Sequence, residues 1–141
     1  MLCRMLPDFP RRTIAILSTV DPAPHAIPVS APLRVDDTTI LLSLHRTRDS
    51  LARLRANPAV ALTVLTEGDV AFTARGRAHV IRDALDSDPD YAGIAIEVEH
   101  VDDHRQPGFE VTGGVDRAWR DDDEKRRLGA RVEELTCVPA R

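Results

Sequence analysis

TILLSLHRTRDSLARLRANPAVALTV, residues 39–64, reads as a strand, a basic turn, a short helix and a second strand. Ile40, Leu42 and Leu44 recur at the two-residue period of a strand, and His45-Arg46-Thr47-Arg48 breaks that period. Leu51, Leu54 and Arg55 follow at helical spacing until Asn57-Pro58 ends the run, which predicts a helix near residues 48–57. Val60, Leu62 and Val64 then restart the alternation. The basic turn therefore stands at a helix N-terminus, where unpaired backbone N–H groups and the helix dipole favour an anion, and a phosphate suits such a place. Spacing alone serves a second reading equally well, in which Thr47 or Asp49 caps the helix and the arginines face water.

On the N-terminal side, a leader interrupted by prolines gives way to Arg12–Val20. This reads as a strand with Ile14 and Ile16 on one face and Ala15 and Leu17 on the other, apolar on both faces as a central strand is. Asp21-Pro22-Ala23-Pro24 is a turn, and His25–Val35 reads as one extended segment in a hairpin with its neighbour. Pro24, Pro28 and Pro32 share parity, so their missing donors fall on one edge. Such an edge is either protected against aggregation or left open for a planar ligand that uses the N–H and C=O groups of Ala26, Val29 or Ser30. Asp36-Asp37-Thr38 turns the chain into the stretch quoted above.

On the C-terminal side, Thr66-Glu67-Gly68-Asp69 leads into a long strand, Val70–Arg82. Its parity sets Val70, Phe72, Ala74, Ala78 and Val80 apart from Arg75, Arg77 and His79. Asp83–Asp90 is a surface loop or weak helix, and Tyr91–Val101 resumes alternation with Ile94, Ile96 and Val98 opposite Glu97 and Glu99. If the two strands pair, those glutamates meet the basic residues as cross-strand ion pairs. His100–Gly108 reads as a polar loop, and Phe109–Trp119 as a last hairpin or bulged strand broken at Gly113-Gly114. Asp121–Leu135 is a helix with acids in its first turn and a narrow apolar seam of Leu128, Val132 and Leu135. The whole predicts one mainly β domain over residues 1–141, an antiparallel barrel or sandwich of six or seven strands with a short inserted helix and a C-terminal helix. A doubly wound parallel sheet would need a helix between nearly every pair of strands.

Composition narrows the function classes. The chain has 141 residues, 43% of them hydrophobic, and a formal net charge of -4, which argues against a general nucleic-acid surface. Lys125 is the single lysine among 19 basic residues, a bias that base composition explains as readily as a need for guanidinium groups. Cys3 and Cys137 form no CxxC pair, so neither a disulfide framework nor a zinc site is indicated, and a reducing cytoplasm fits. No apolar run approaches the ~18 residues needed to span a bilayer, and the first residues lack the apolar core of a signal peptide.

GxSxG, GxGxxG, HExxH and a phosphate loop ending in GK[ST] are all absent. His100 and His104 form an HxxxH pair, but at a strand end they lack the helical spacing that would turn both toward one metal, so no metal site is expected. The acids at 121–124 read as a helix start.

Three segments in order carry a resemblance: AILSTVDPAPHAIPVSAPL (15–33), TILLSLHRTRDSLARLRANPAVALTVL (39–65) and FTARGRAHVIRD (72–83). Together, over about half of the chain, they resemble the pyridoxamine 5′-phosphate oxidase-like flavin-binding split barrels. The resemblance implies a six-stranded antiparallel barrel that dimerises and binds flavin mononucleotide (FMN), or alternatively the deazaflavin F420, at the subunit interface. It places the phosphate on His45, Arg46, Thr47, Arg48 and Ser50. It lays the flavin ring along Ala26, Ile27, Pro28, Val29 and Ser30, with Arg75 and Arg77 reaching in from the partner subunit. Trp119 either closes over the flavin or staples the last helix.

The chain also departs from that family. Where many members carry Ser-Arg-Lys at the phosphate, this chain has Arg48-Asp49-Ser50, which loses the lysine and adds a carboxylate, so Arg46 and Arg48 must compensate. On the ring-side strand, His25 and Ser30 stand where the vitamin oxidases carry an arginine and a lysine. The arginine-histidine substrate motif of true pyridoxamine phosphate oxidases is absent after Trp119, which makes that reaction improbable. The expectation is a homodimeric FMN- or F420-dependent oxidoreductase for a small organic substrate, with no catalytic side chain assigned. Its rival is a non-catalytic module that uses the same barrel to hold a flavin, haem or other ligand.

Overall fold

The computed structural model describes residues 5–138. Seven strands and two helices follow one another as β1 (Ile14–Thr19), β2 (His25–Ser30), β3 (Leu33–Asp36), β4 (Thr39–His45), α1 (Asp49–Ala56), β5 (Ala59–Thr66), β6 (Val70–Arg82), β7 (Tyr91–Asp103) and α2 (Asp122–Thr136). The strands form a single sheet in the order β2-β1-β5-β6-β7-β4-β3, and every pairing in it is antiparallel. Its two edge strands, β2 and β3, are neighbours in sequence, so the sheet must curl until its edges approach, and β2 packs against β4. The fold is a split barrel.

The core follows the strand parity. Leu17, Leu42, Leu62, Phe72, Ala74, Ile94 and Ile96 belong to one buried cluster inside the curl, and burying such apolar side chains is the main favourable term in folding. A second, smaller cluster on the outside of β4 and β7 joins Leu41 and Ala95 to Leu85 and to Leu135 of α2. β1 is paired on both sides, as its two apolar faces predict. Its inward residues Ala15 and Leu17 are 1% exposed, whereas Ile16 on the outer face is 41% exposed.

Several expectations need correction. His25–Val35 is not one strand: Ala31 has φ 53°, a left-handed turn that ends β2, and β3 then leaves for the opposite edge. Phe109–Trp119 forms no strand. Only a Gln106–Phe109 bridge is present, and the segment is tied to the β5–β6 turn by Asp69 N–H donating to Val111 C=O and Val111 N–H donating to Asp69 Oδ1. With both sheet edges elsewhere, this segment has no ladder to join. On α2, Arg131 replaces Val132 on the buried stripe with Leu128 and Leu135, because Asp88 and Tyr91 receive its guanidinium. Cys3 lies outside the described residues, and no described helix is long and apolar enough to cross a membrane.

Candidate functional site

Where β2 meets β4, a cleft of about 320 Å³ opens, with Ile27 to Ser30 on one wall and Ser43 to His45, Thr47 and Arg48 on the other. Tyr91 at the start of β7, with Leu128 and Arg131 of α2, completes the lining. The curl of the sheet thus brings together the two segments that the sequence singles out, one on the edge strand β2 and the other on β4, next to the opposite edge.

The β2 wall is an open edge with a defined phase. Ala31 N–H donates to Thr13 C=O at 2.9 Å, and the β1–β2 register continues that phase. His25, Ile27 and Val29 therefore bond toward β1, while Ala26, Pro28 and Ser30 turn their backbone groups outward. Of the groups expected to serve a planar ligand, those of Ala26 and Ser30 face the open edge and those of Val29 do not. Pro24 and Pro32 lie outside the strand, so Pro28 alone removes a donor from this edge.

The opposite wall ends at the start of α1. Arg48 is the N-cap residue and makes no side-chain cap bond. Thr47 is held instead by His45, whose Nδ1 lies 3.2 Å from Thr47 N and 2.7 Å from Thr47 Oγ1. A backbone N–H can only donate, so Nδ1 is the acceptor and the proton of a neutral ring rests on Nε2. Neither Thr47 nor Asp49 caps the helix. Among the described residues the backbone N–H groups of Asp49 and Ser50 have no partner, which leaves this helix start able to receive an anion.

The predicted phosphate residues divide here. His45, Thr47 and Arg48 line the cleft. Arg46 is turned to the 83–90 loop, with its N–H on Asp90 C=O at 2.8 Å and Nη1 on Pro89 C=O at 3.4 Å. Ser50 is 1% exposed and off the cleft wall, and its Oγ has no partner among the described residues. Arg75 and Arg77 do not line the cleft of their own protomer: Arg75 Nε donates to Asp102 Oδ2 at 2.8 Å, and Arg77 faces Glu97 across the ladder. Of the expected cross-strand contacts to a glutamate, His79 stands near Glu97, with 4.0 Å between Nδ1 and Oε2. Glu99 is the extra residue of a bulge, so Arg75 stands opposite His100 and reaches diagonally to Asp102 instead of to a glutamate. Trp119 is 36% exposed and stands beside the Arg117 guanidinium, away from the cleft. His100 and His104 part company, one on Asp102 and the other on Thr73.

Tyr91, Leu128 and Arg131 enter the site from segments that gave no motif. The Arg131 guanidinium carbon lies 3.7 Å from the Tyr91 ring centre, a cation–π distance. The Tyr91 ring meets His45 edge-on at 5.0 Å. Arg131 Nη1 donates to Asp88 Oδ2 at 2.8 Å, and Arg127 Nη2 reaches the same oxygen at 3.3 Å. Burial raises the Asp88 pKa, but the Arg131 hydrogen bond and the charges of Arg127 and Arg131 outweigh it and hold the carboxyl below its ordinary value. The one available signal was a charged residue at helical spacing between Leu128 and Leu135, with an aspartate ahead of Tyr91.

The pyridoxamine 5′-phosphate oxidase family model matches residues 5–107, a span that holds the barrel and ends before α2. No curated protein matches the chain. Among solved structures, general stress protein 26 from Bacillus anthracis is similar at 17% identity with a TM-score of 0.51, over 64% of this chain and 82% of that one. A FAD-binding protein from Mesorhizobium loti is similar at 17% identity and TM-score 0.52, over 63% and 83% of the two chains. An F420 reductase is similar at 18% identity and TM-score 0.55, over 67% and 92%. At these identities the structures share the fold, and the family model decides membership: the chain belongs to the pyridoxamine 5′-phosphate oxidase family.

Proposed function

We propose that the protein is a homodimeric flavin-dependent oxidoreductase of the cytoplasm, using FMN, or F420 in its place, to act on a small organic substrate. The observation that carries this reading is the cleft itself, in which the open edge of β2 faces an uncapped helix start flanked by Arg48. A flat ring system suits the edge and a phosphate suits the helix start. The flavin-type cofactors in the names of similar structures support the same choice.

The residues present fit such a group in type. Ala26 and Ser30 offer outward backbone donors and acceptors, Asp49 and Ser50 offer free N–H groups, and Arg48 supplies positive charge. When bound, the cofactor supplies the hydride chemistry, and the protein orients it and sets its electrostatics. The cleft is small and open to solvent, so a second copy would complete its cover. Ile16 and Leu65, 41% and 51% exposed on the outer face of the sheet, provide an apolar surface for that copy.

One observation favours a non-catalytic module that holds a flavin, haem or other ligand: Asp49, exposed at the helix start, repels a phosphate dianion. Purification followed by absorption spectroscopy and mass spectrometry of any released chromophore decides between the two. Bound flavin or deazaflavin that a reductant or substrate turns over supports the oxidoreductase. A colourless dimer that takes up neither, or one that holds a chromophore without turnover, supports the module.

A further inference from the structure

Resting on the flavin reading above, we propose that Arg131 of α2 is the second cation of the phosphate subsite and, with Arg48, stands in for the lysine that Ser50 replaces. Arg131 is 4% exposed, yet it lines the cleft beside His45, Thr47 and Arg48. A charge so far from water needs partners, and it has two: Asp88 takes Nη1 at 2.8 Å and the Tyr91 ring takes the guanidinium face at 3.7 Å. Among the described residues, Nη2 makes no hydrogen bond. Part of the donor fork is therefore committed and part is unused, on a side chain whose place is held from two directions.

A phosphate monoester fits this arrangement. Its oxygens accept from a guanidinium in directed, charge-assisted bonds, and the helix start that follows Arg48, itself on the cleft wall, has unpartnered N–H groups at Asp49 and Ser50. The charges favour it too. Asp49 opposes a dianion at the helix start, and Arg48, exposed to solvent, is a weak counterweight. Asp88 offsets part of the Arg131 charge, but Arg131 is screened by little water, so a directed bond from its uncommitted nitrogen is stronger than one from the solvated Arg48. Asp88 and Tyr91 act through Arg131 as positioning residues.

The test compares FMN with riboflavin, which lacks the phosphate, by titrating the full chain and following flavin fluorescence. Arg131→Gln should weaken FMN binding about 30-fold and leave riboflavin within about threefold, the loss expected for one charged hydrogen bond. That variant strands the Asp88 carboxylate, so Asp88→Asn/Arg131→Gln is measured beside it, with circular dichroism confirming that it folds. The folded double variant should show the same loss of preference for FMN. A wild-type preference in that variant overturns the role of Arg131 and leaves the flavin reading standing. A wild-type protein that binds neither flavin, and does not bind F420 when that is titrated in their place, sinks the cofactor reading instead. Inorganic phosphate followed by 31P line broadening then judges Arg131 alone: binding to wild type and not to the double variant upholds the subsite, and equal behaviour of the two proteins, bound or unbound, overturns it.

Discussion

Gly76 of β6 lies so close to Glu97 of β7 that a Cβ built on it would stand 2.0 Å from the Glu97 carbonyl oxygen. The close approach sits beside the bulge at Glu99, where the β6–β7 register shifts between Arg75 and Gly76. Backbone cannot yield as a flexible side chain does, so Gly76→Ala forces the two longest strands apart. A loss of roughly 3 kcal/mol is expected, at the upper end of overpacking effects, measured by urea unfolding. A loss under about 0.5 kcal/mol would mean that the two strands do not approach as described.

The Asp88–Arg131 pair is buried on both sides, with each side chain 5% exposed. Asp88→Ala leaves a guanidinium without its carboxylate, and a loss of about 3 kcal/mol is expected in chemical denaturation. Adding Arg131→Met to that variant should recover part of the loss, since an apolar side chain of similar length needs no partner in this place. If the double variant is as unstable as the two single losses summed, the pair is not coupled.

Acid should loosen α2 before the barrel. Glu134 of α2 accepts from Asp86 N–H at 2.9 Å and from Ser87 N–H at 2.8 Å. Burial raises its pKa, but these bonds and the Ser87 hydroxyl hold it below its ordinary 4.5. Asp88 likewise lies below its ordinary 3.8. Both native values are depressed, so the unfolded chain binds more protons as pH falls, and the stabilisation is full above about pH 4.5 and lost as pH passes through the native values. Hydrogen exchange at pH 3 should show α2 amides losing protection ahead of those of β5 and β6. Simultaneous loss along the whole chain would contradict this order.

Arg46→Ala and Arg48→Ala should differ. Arg48 lines the cleft and Arg46 is held by the 83–90 loop, so removing Arg48 should lower FMN affinity about tenfold and removing Arg46 less than about threefold. Isothermal titration of the two variants checks this, and equal losses would return Arg46 to the phosphate site.

Ile16→Asp places a charge on the exposed outer face of β1 while leaving Ala15 and Leu17 in the core. Sedimentation velocity should show this variant as a monomer and the wild type as a dimer. A dimeric Ile16→Asp protein would move the interface to another face.

Strand parity was legible wherever one face is buried, because a two-residue period leaves little choice about which side chains turn inward. The residues 39–64 gave the strand, turn, helix and strand in order, with the helix at Asp49–Ala56. Phe109–Trp119 misled because local alternation and a glycine pair resemble a hairpin, whereas pairing needs a free edge that the segment does not meet. Val132 misled for a related reason: apolar spacing picks the buried face of a helix only when no buried carboxylate offers an arginine a better place.

The sequence by itself determined the barrel class and picked out the two segments at residues 25–30 and 45–50, through local periodicity and proline placement, while the family entered by the resemblance of three segments in order. What only the tertiary structure decided is the composition of the cleft. Closing the sheet sets β2 on β4, turns Arg46 and Ser50 away from the cleft wall, and brings Tyr91 and Arg131 into the site from far along the chain. Contacts between residues so distant in sequence depend on how the sheet curls and where α2 docks, and no local pattern records either.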